Sequence, residues 1–177
     1  MNCMTAPVFV DTNVFVYARQ AGETVKQPLS ARWLERLWSE QTGRTSVQVL
    51  NEYYTTLTRK IKPPLSPAEV WDDVKSLMAW NPRSVDLELL YRGREIEQRY
   101  RLSWWDSLIV GAAQLQNCVL LLTEDLQDGA AYGAVTVRNP FTFSVSEDLT
   151  SYAVAQARVH VRAHPGRGRP KRAKPAA

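Results

Sequence analysis

The sequence predicts a single α/β domain with a short, mainly parallel sheet flanked by helices, and three features carry that expectation. Two short runs, "VFV" at 8–10 and "VLLL" at 119–122, are apolar without alternation, the pattern of strands covered on both faces. The segments between and after them repeat apolar residues at helical spacing. Short strands separated by helices return to the same side of a sheet and so lie parallel.

The elements follow in order. "APVFV" is predicted as a buried strand and Thr12 to Arg19 as the start of a helix, which runs into a polar loop holding Gly22 and Pro28. From Leu29 to Gln41, Trp33, Leu34, Leu37 and Trp38 form one apolar helical face with charges between them. A brief strand is expected at Arg44 to Ser46, then a helix whose apolar side collects Val49, Leu50, Tyr53 and Leu57. In "LSPAEVW", Ser66 suits an N-cap, Pro67 the first helical position and Glu69 the reciprocal partner of a capping box. Further helices are expected from Asp86 to about Tyr100 and from Trp104 to Asn117. A buried strand at Val119 to Leu122 and a last short strand in "GAVTVRNP" complete the set. No repeat period is visible.

Composition narrows the function classes. The chain has 177 residues, 45% of them hydrophobic, enough for one well-buried core. Its longest apolar stretches fall far short of the ~20 residues that span a bilayer, and its start lacks the basic, then apolar, pattern of a secretory signal. A cytoplasmic location is expected. Cys3 and Cys118 cannot build a disulfide framework or a multi-cysteine zinc site, and both read as core residues. Seven of the 22 basic residues lie after position 157, where no acid does, which leaves positions 1–157 with 15 basic against 18 acidic residues. The body is mildly acidic and the tail basic. That tail, "RAHPGRGRPKRAKPAA", has too little apolar surface to offset its ordering entropy and is expected to be disordered. It suits either attraction to phosphates or simple solubility.

Four acids stand where a parallel sheet places its chemistry, outside the carboxyl ends of the strands. Asp11 follows the first strand and Asp125 follows "VLLLT"; Glu52 lies at the border of its helix's apolar face; Asp106 opens a late helix on the side away from Trp105, Leu108 and Ala112. Singly, each has a structural explanation. Asp11 suits an N-cap, Asp106 a capping turn with Ser103, and Asp125 a turn in "TEDLQDG". Four carboxylates in one cleft would repel one another unless a cation lay among them. Hard ions such as Mg²⁺ or Mn²⁺ take such oxygen ligands. The only histidines, His160 and His164, sit in the basic tail, which argues against zinc and against His-based catalysis. Arg44, Arg59, Lys60 and Lys62 flank the Glu52 helix, suited to guiding a phosphate backbone or to a solvated charged face. Trp104 and Trp105 suit base stacking or, more ordinarily, a core helix face.

With these residues in view, the chain resembles the PIN-domain nucleases, and among them the VapC-type toxins of prokaryotic toxin–antitoxin pairs. The resemblance runs from about Val8 to Phe141 through "VFVDTNVFVYA", "TSVQVLNEYY", "LSWWDSLIVGAA" and "LLTEDLQDG" followed by "VRNPF". It implies a three-layer PIN-like fold over residues 1–145, with 146–177 as a C-terminal extension ending in the basic tail. It also implies Mg²⁺- or Mn²⁺-dependent hydrolysis of RNA phosphodiesters, with Asp11, Glu52, Asp106 and Asp125 holding the metal. Asn13 and Thr123 are then polar support in the same pocket. Glu124 and Asp128 are further acids near Asp125; Asp125 is preferred by its motif position, then Asp128. Transfer or ribosomal RNA as substrate, a cognate antitoxin and a homodimer are implied as partners, with no membrane. Two rivals remain: a non-catalytic RNA-binding module, and a haloacid-dehalogenase-like phosphatase. The phosphatase would carry a second Asp where this chain has Asn13.

Overall fold

A computed structural model describes residues 6–146 together with Leu149 and Tyr152. Cys3 and the basic tail lie outside the described residues. Five strands form one sheet in the order β2-β1-β3-β5-β4: β1 (Val8–Val10), β2 (Gly43–Arg44), β3 (Leu120–Leu122), β4 (Ala131–Tyr132) and β5 (Val135–Arg138). The first four in that order run parallel, and only β4 runs against its neighbour. Every residue of β1 and β3 is buried. Strands covered on both faces are the middle of three layers, and their apolar runs are the cause. Each fully buried Leu, Val or Phe among them contributes about 1.5–3 kcal/mol.

Among the described residues, six α-helices supply the outer layers: α1 (Thr12–Arg19), α2 (Lys26–Glu40), α3 (Val47–Thr55), α4 (Pro67–Leu77), α5 (Leu87–Tyr100) and α6 (Trp104–Leu115). A π-helical turn at Thr56–Lys60 extends α3, and a 3-10 turn at Met78–Trp80 ends α4. Helix α4 starts as its sequence dictates, with the Ser66–Glu69 capping box closed on both sides. Helix α5 begins on Asp86, whose carboxylate accepts from the Leu89 amide at 3.0 Å. Gly93 and Gly111 let α5 and α6 approach closely: a Cβ on Gly93 would come within 2.8 Å of Leu108.

Several boundaries differ from expectation. Helix α2 starts at Lys26 rather than Leu29, because Pro28 falls in its first turn, where no amide proton is needed. β2 covers Gly43–Arg44 rather than Arg44 to Ser46; Ser46 caps α3 instead and makes an isolated bridge to Arg83. β4 was not expected. It pairs with β5 across a tight turn at Gly133, whose φ of 64° suits a residue without Cβ. Trp33 and Leu37 are buried as predicted, whereas Trp38 is 42% exposed and packs on Trp80 with the rings tilted by 59°. Cys118 is buried in the core. Beyond β5 the chain returns to α2: Phe143 stacks on Trp33, Arg36 binds the Val145 carbonyl, and Leu149 is buried against the same core.

Gly43 is the tightest point of this packing. A Cβ there would lie 2.6 Å from three ring carbons of Trp80, whose ring is held by Phe15 and Trp38 and cannot swing aside. Gly43→Ala should therefore lower stability in urea titration by about 1–3 kcal/mol; an unchanged midpoint would contradict this packing.

Candidate active site

The register of β1 and β3 builds the site. Val10 lies opposite Leu122, so the two strands end together and the next residues, Asp11 and Thr123, emerge as neighbours. The Asp11 amide donates to the Leu122 carbonyl at 3.1 Å, and its extended backbone then turns into α1. Its Oδ1 accepts from the Thr12 amide at 2.7 Å, so the helix-capping role is real. Its Oδ2 accepts from the Thr123 hydroxyl at 2.8 Å, a bond that no capping role requires.

Thr123 is fully buried and its hydroxyl is saturated. It donates to Asp11 and accepts from the Asn13 side-chain amide at 3.0 Å and the Asp125 backbone amide at 3.1 Å, which exhausts its one proton and two lone pairs. Asn13 Nδ2 also donates to Asp125 Oδ2 at 3.0 Å. On the other side of Asp11, the Thr12 hydroxyl donates to Glu52 Oε2 at 2.9 Å, and Gln48 Nε2 donates to Glu52 Oε1 at 3.0 Å. Asp11, Glu52 and Asp125 are thus joined through neutral donors alone. Thr12 and Gln48 escaped the sequence reading; the helical i,i+4 spacing of Gln48 and Glu52 is the one signal that could have found the latter.

Charge around these acids is uncompensated. Among the described residues, none of Asp11, Glu52, Asp106 and Asp125 takes part in an ion pair, whereas their sequence neighbours Glu124 and Asp128 both do. Burial pushes the Asp11 carboxyl up to about 6; hydrogen bonds from Thr123 and Thr12 oppose the rise, and the charges of Asp125 and Glu52 add to it. That coupling shows that the three carboxylates feel one another.

The remaining acids are placed differently. Asp106 stands in the first turn of α6 and accepts from the Ser103 hydroxyl at 2.6 Å, a capping turn with no bond to the other three. Its charge reaches Tyr132, helping burial to raise that phenol's pKa. Glu124 pairs with Lys26 at 2.6 Å, and the same ammonium bonds the Tyr17 hydroxyl and lies over the Phe141 ring. This clamp ties the loop after β3 to α2. Asp128 accepts from Arg138 at 3.0 Å and from the Asn139 amide at 2.8 Å, so it closes the turn before β4 and does not face Asp11. Of the three acids after β3, Asp125 alone shares partners with Asp11.

The donor set is of the kind hard cations take: carboxylate and amide oxygens without nitrogen or sulfur. The Asn13 Oδ1 is buried with no hydrogen-bond partner, one further oxygen acceptor on the amide whose nitrogen holds Asp125. Among the described residues, no three His, Cys, Asp or Glu side chains are gathered closely enough to enclose an ion. Mg²⁺ commonly uses one or two carboxylates and fills its shell with water and substrate phosphate, which this open arrangement suits.

Residues 8–127, from β1 to the loop after β3, match the PIN-domain family. The chain belongs to that family. This PIN domain also shares its fold with the crystal structure of the sarcin-ricin-loop-cleaving toxin VapC20 of Mycobacterium tuberculosis, at a TM-score of 0.52 and 20% sequence identity, covering 67% of this chain and 91% of that one. A comparison with curated protein sequences finds no match. Among the described residues, no helix is long and apolar enough to cross a membrane.

The raised Asp11 pKa fixes the sign of a pH effect in metal-free protein. Between its ordinary value of 3.8 and about 6, the folded state holds a proton that the unfolded chain has lost, so stability falls as pH rises through that window. In EDTA at pH 7.5, Asp11→Asn, which keeps a capping side chain, should be more stable than wild type by up to about 3 kcal/mol, at ~1.4 kcal/mol per pH unit. The gap should close by pH 4; a pH-independent gap in thermal melts would contradict the burial of this charge.

Proposed function

We propose that this PIN-domain protein is a Mg²⁺- or Mn²⁺-dependent endoribonuclease and the toxin of a toxin–antitoxin pair, with its site at the β1–β3 edge. The observation that carries this reading is the set Asp11, Glu52 and Asp125, held together by neutral donors and left without a compensating cation. A chain that only needed caps and turns would gain nothing from burying an unpaired acid beside two others. Membership of the PIN family and a fold shared with an RNA-cleaving toxin support the same reading.

The residues divide the work. Asp11 and Asp125 are the metal-holding pair, fixed relative to each other by Thr123 and Asn13. Glu52 is oriented by Thr12 and Gln48 toward the same edge. Asp106 joins as the fourth acid by its motif, with Ser103 holding its carboxylate until substrate arrives. Asp11 and Asp125 would hold a divalent ion there, whose chemistry would be to activate a water and to neutralise charge on the phosphate. The protein's own part is positioning: buried hydroxyls and amides lock the carboxylate rotamers, and the uncompensated negative field draws the ion in. The protein acts, on this reading, in the cytoplasm on transfer or ribosomal RNA, as a homodimer held in check by an antitoxin whose Arg would reach the acids.

Neither rival has a supporting observation. In the phosphatase reading a second acid is needed where Asn13 stands, and Asn13 spends its amide on Thr123 and Asp125. Incubation with structured RNAs should give cleavage in Mg²⁺ or Mn²⁺ that EDTA abolishes. Asp11→Asn, Asp106→Asn and Asp125→Asn should each lower the rate at least about 100-fold. Binding of RNA without cleavage, equal in wild type and variants, would instead establish the non-catalytic module.

A further inference from the structure

A groove of about 540 Å³ runs along Glu52, lined by Thr12, Gln48, Asn51 and Lys60 together with Val85 and Trp105. We propose that it is a nucleotide subsite, in which one base of single-stranded RNA stacks on Trp105 while Lys60 meets a backbone phosphate. The inference rests on the ribonuclease reading and adds the surface that would hold substrate beside the acids.

Trp105 is the leading observation. The other large residues of α6 are spent on the core, with Leu108 at 2% and Ile109 at 5% exposure, whereas the Trp105 side chain is left 63% exposed. The expectation of a core tryptophan pair fails here: Trp104 packs against the core, and Trp105 does not. The backbone beneath it is tied to α3: the Trp105 carbonyl accepts from Gln48 Nε2 at 3.4 Å, the same amide that orients Glu52. One glutamine thus links the start of α6 to the acidic edge.

The α3 side of the groove is polar by helical spacing. Gln48, Asn51, Glu52 and Thr55 recur at three and four residues along α3, and the widened π turn carries the stripe on to Lys60. π-turns of this kind are frequent at functional sites. Among the described residues Lys60 makes no ion pair, so its charge is available to an incoming anion.

This combination favours RNA over a protein helix. The apolar face of a helix laid here would strand Asn51, Thr55 and Lys60 against hydrocarbon. An unpaired nucleotide offers a π-face to the indole, a hydrogen-bonding edge to the amides and a phosphate to the ammonium. The groove volume is also that of a small-molecule site.

The test uses the full chain in EDTA, where no cleavage occurs, and reads binding of labelled oligo-A, oligo-C and oligo-U by fluorescence anisotropy. Trp105→Ala should weaken binding about 5- to 100-fold, with Trp105→Phe recovering most of it and the melting temperature unchanged. Lys60→Ala should weaken binding and reduce the slope of log affinity against log salt by about 0.7. Mn²⁺-dependent cleavage of a structured RNA is read separately. Oligonucleotide binding unchanged in Trp105→Ala, with cleavage intact in wild type, overturns the subsite and leaves the nuclease standing. A wild type that neither binds nor cleaves overturns both. Loss of a co-expressed protein partner in Trp105→Ala, with RNA binding intact, makes the groove a protein interface and overturns the proposal.

Discussion

The hydrogen bond from Thr123 to Asp11 is the interaction on which the site depends, and the sheet makes it inevitable. Parallel pairing of β1 with β3 ends both strands at the same level, which sets a carboxylate beside a hydroxyl at the rim. The hydroxyl has no freedom left: its two lone pairs fix Asn13 and turn the chain so that Asp125 faces back toward Asp11. Without the hydroxyl, the buried acid would lose its strongest compensation and Asp125 its direction. The position of an acid three residues beyond the strand is therefore set by one side chain and not by the strand itself.

The core and the site make opposite demands on the same edge. Burial of Val8 to Val10 and Leu120 to Leu122 stabilises the sheet, yet it draws Asp11 out of water, where an ionised carboxylate is costly. The protein answers with neutral donors from Thr12, Thr123, Asn13 and Gln48, and uses its cations elsewhere, on Glu124 and Asp128. A guanidinium or ammonium at Asp11 would have offset the burial cost and, on the proposed reading, taken the place of the ion. Leaving the acids uncompensated keeps that place open, at a cost in metal-free stability.

Much of the fold was legible because its signals are local. Fully apolar runs mark doubly covered strands, and the Ser66–Glu69 box marks α4. β2 and β4 were misplaced or missed because two-residue strands leave no period to read; their pairing is decided by partners far along the chain. The acids Asp11, Glu52 and Asp125 stood out by position, but the choice among Glu124, Asp125 and Asp128 was not decidable from spacing. It turns on where the Thr123 hydroxyl and the cations Lys26 and Arg138 lie. Trp105 misled for the same reason: a helical wheel shows which residues share a face, not whether anything covers that face.

The central claim is that the β1–β3 edge is a metal site made by Asp11 and Asp125, and direct titration with Mn²⁺, followed by electron paramagnetic resonance, tests it without reference to any RNA. Wild-type protein should bind the ion, Asp11→Asn and Asp125→Asn should each lose that binding, and Asp128→Asn should retain it. Binding that survives in Asp125→Asn but disappears in Asp128→Asn, or a wild type that takes up no ion, would contradict the account.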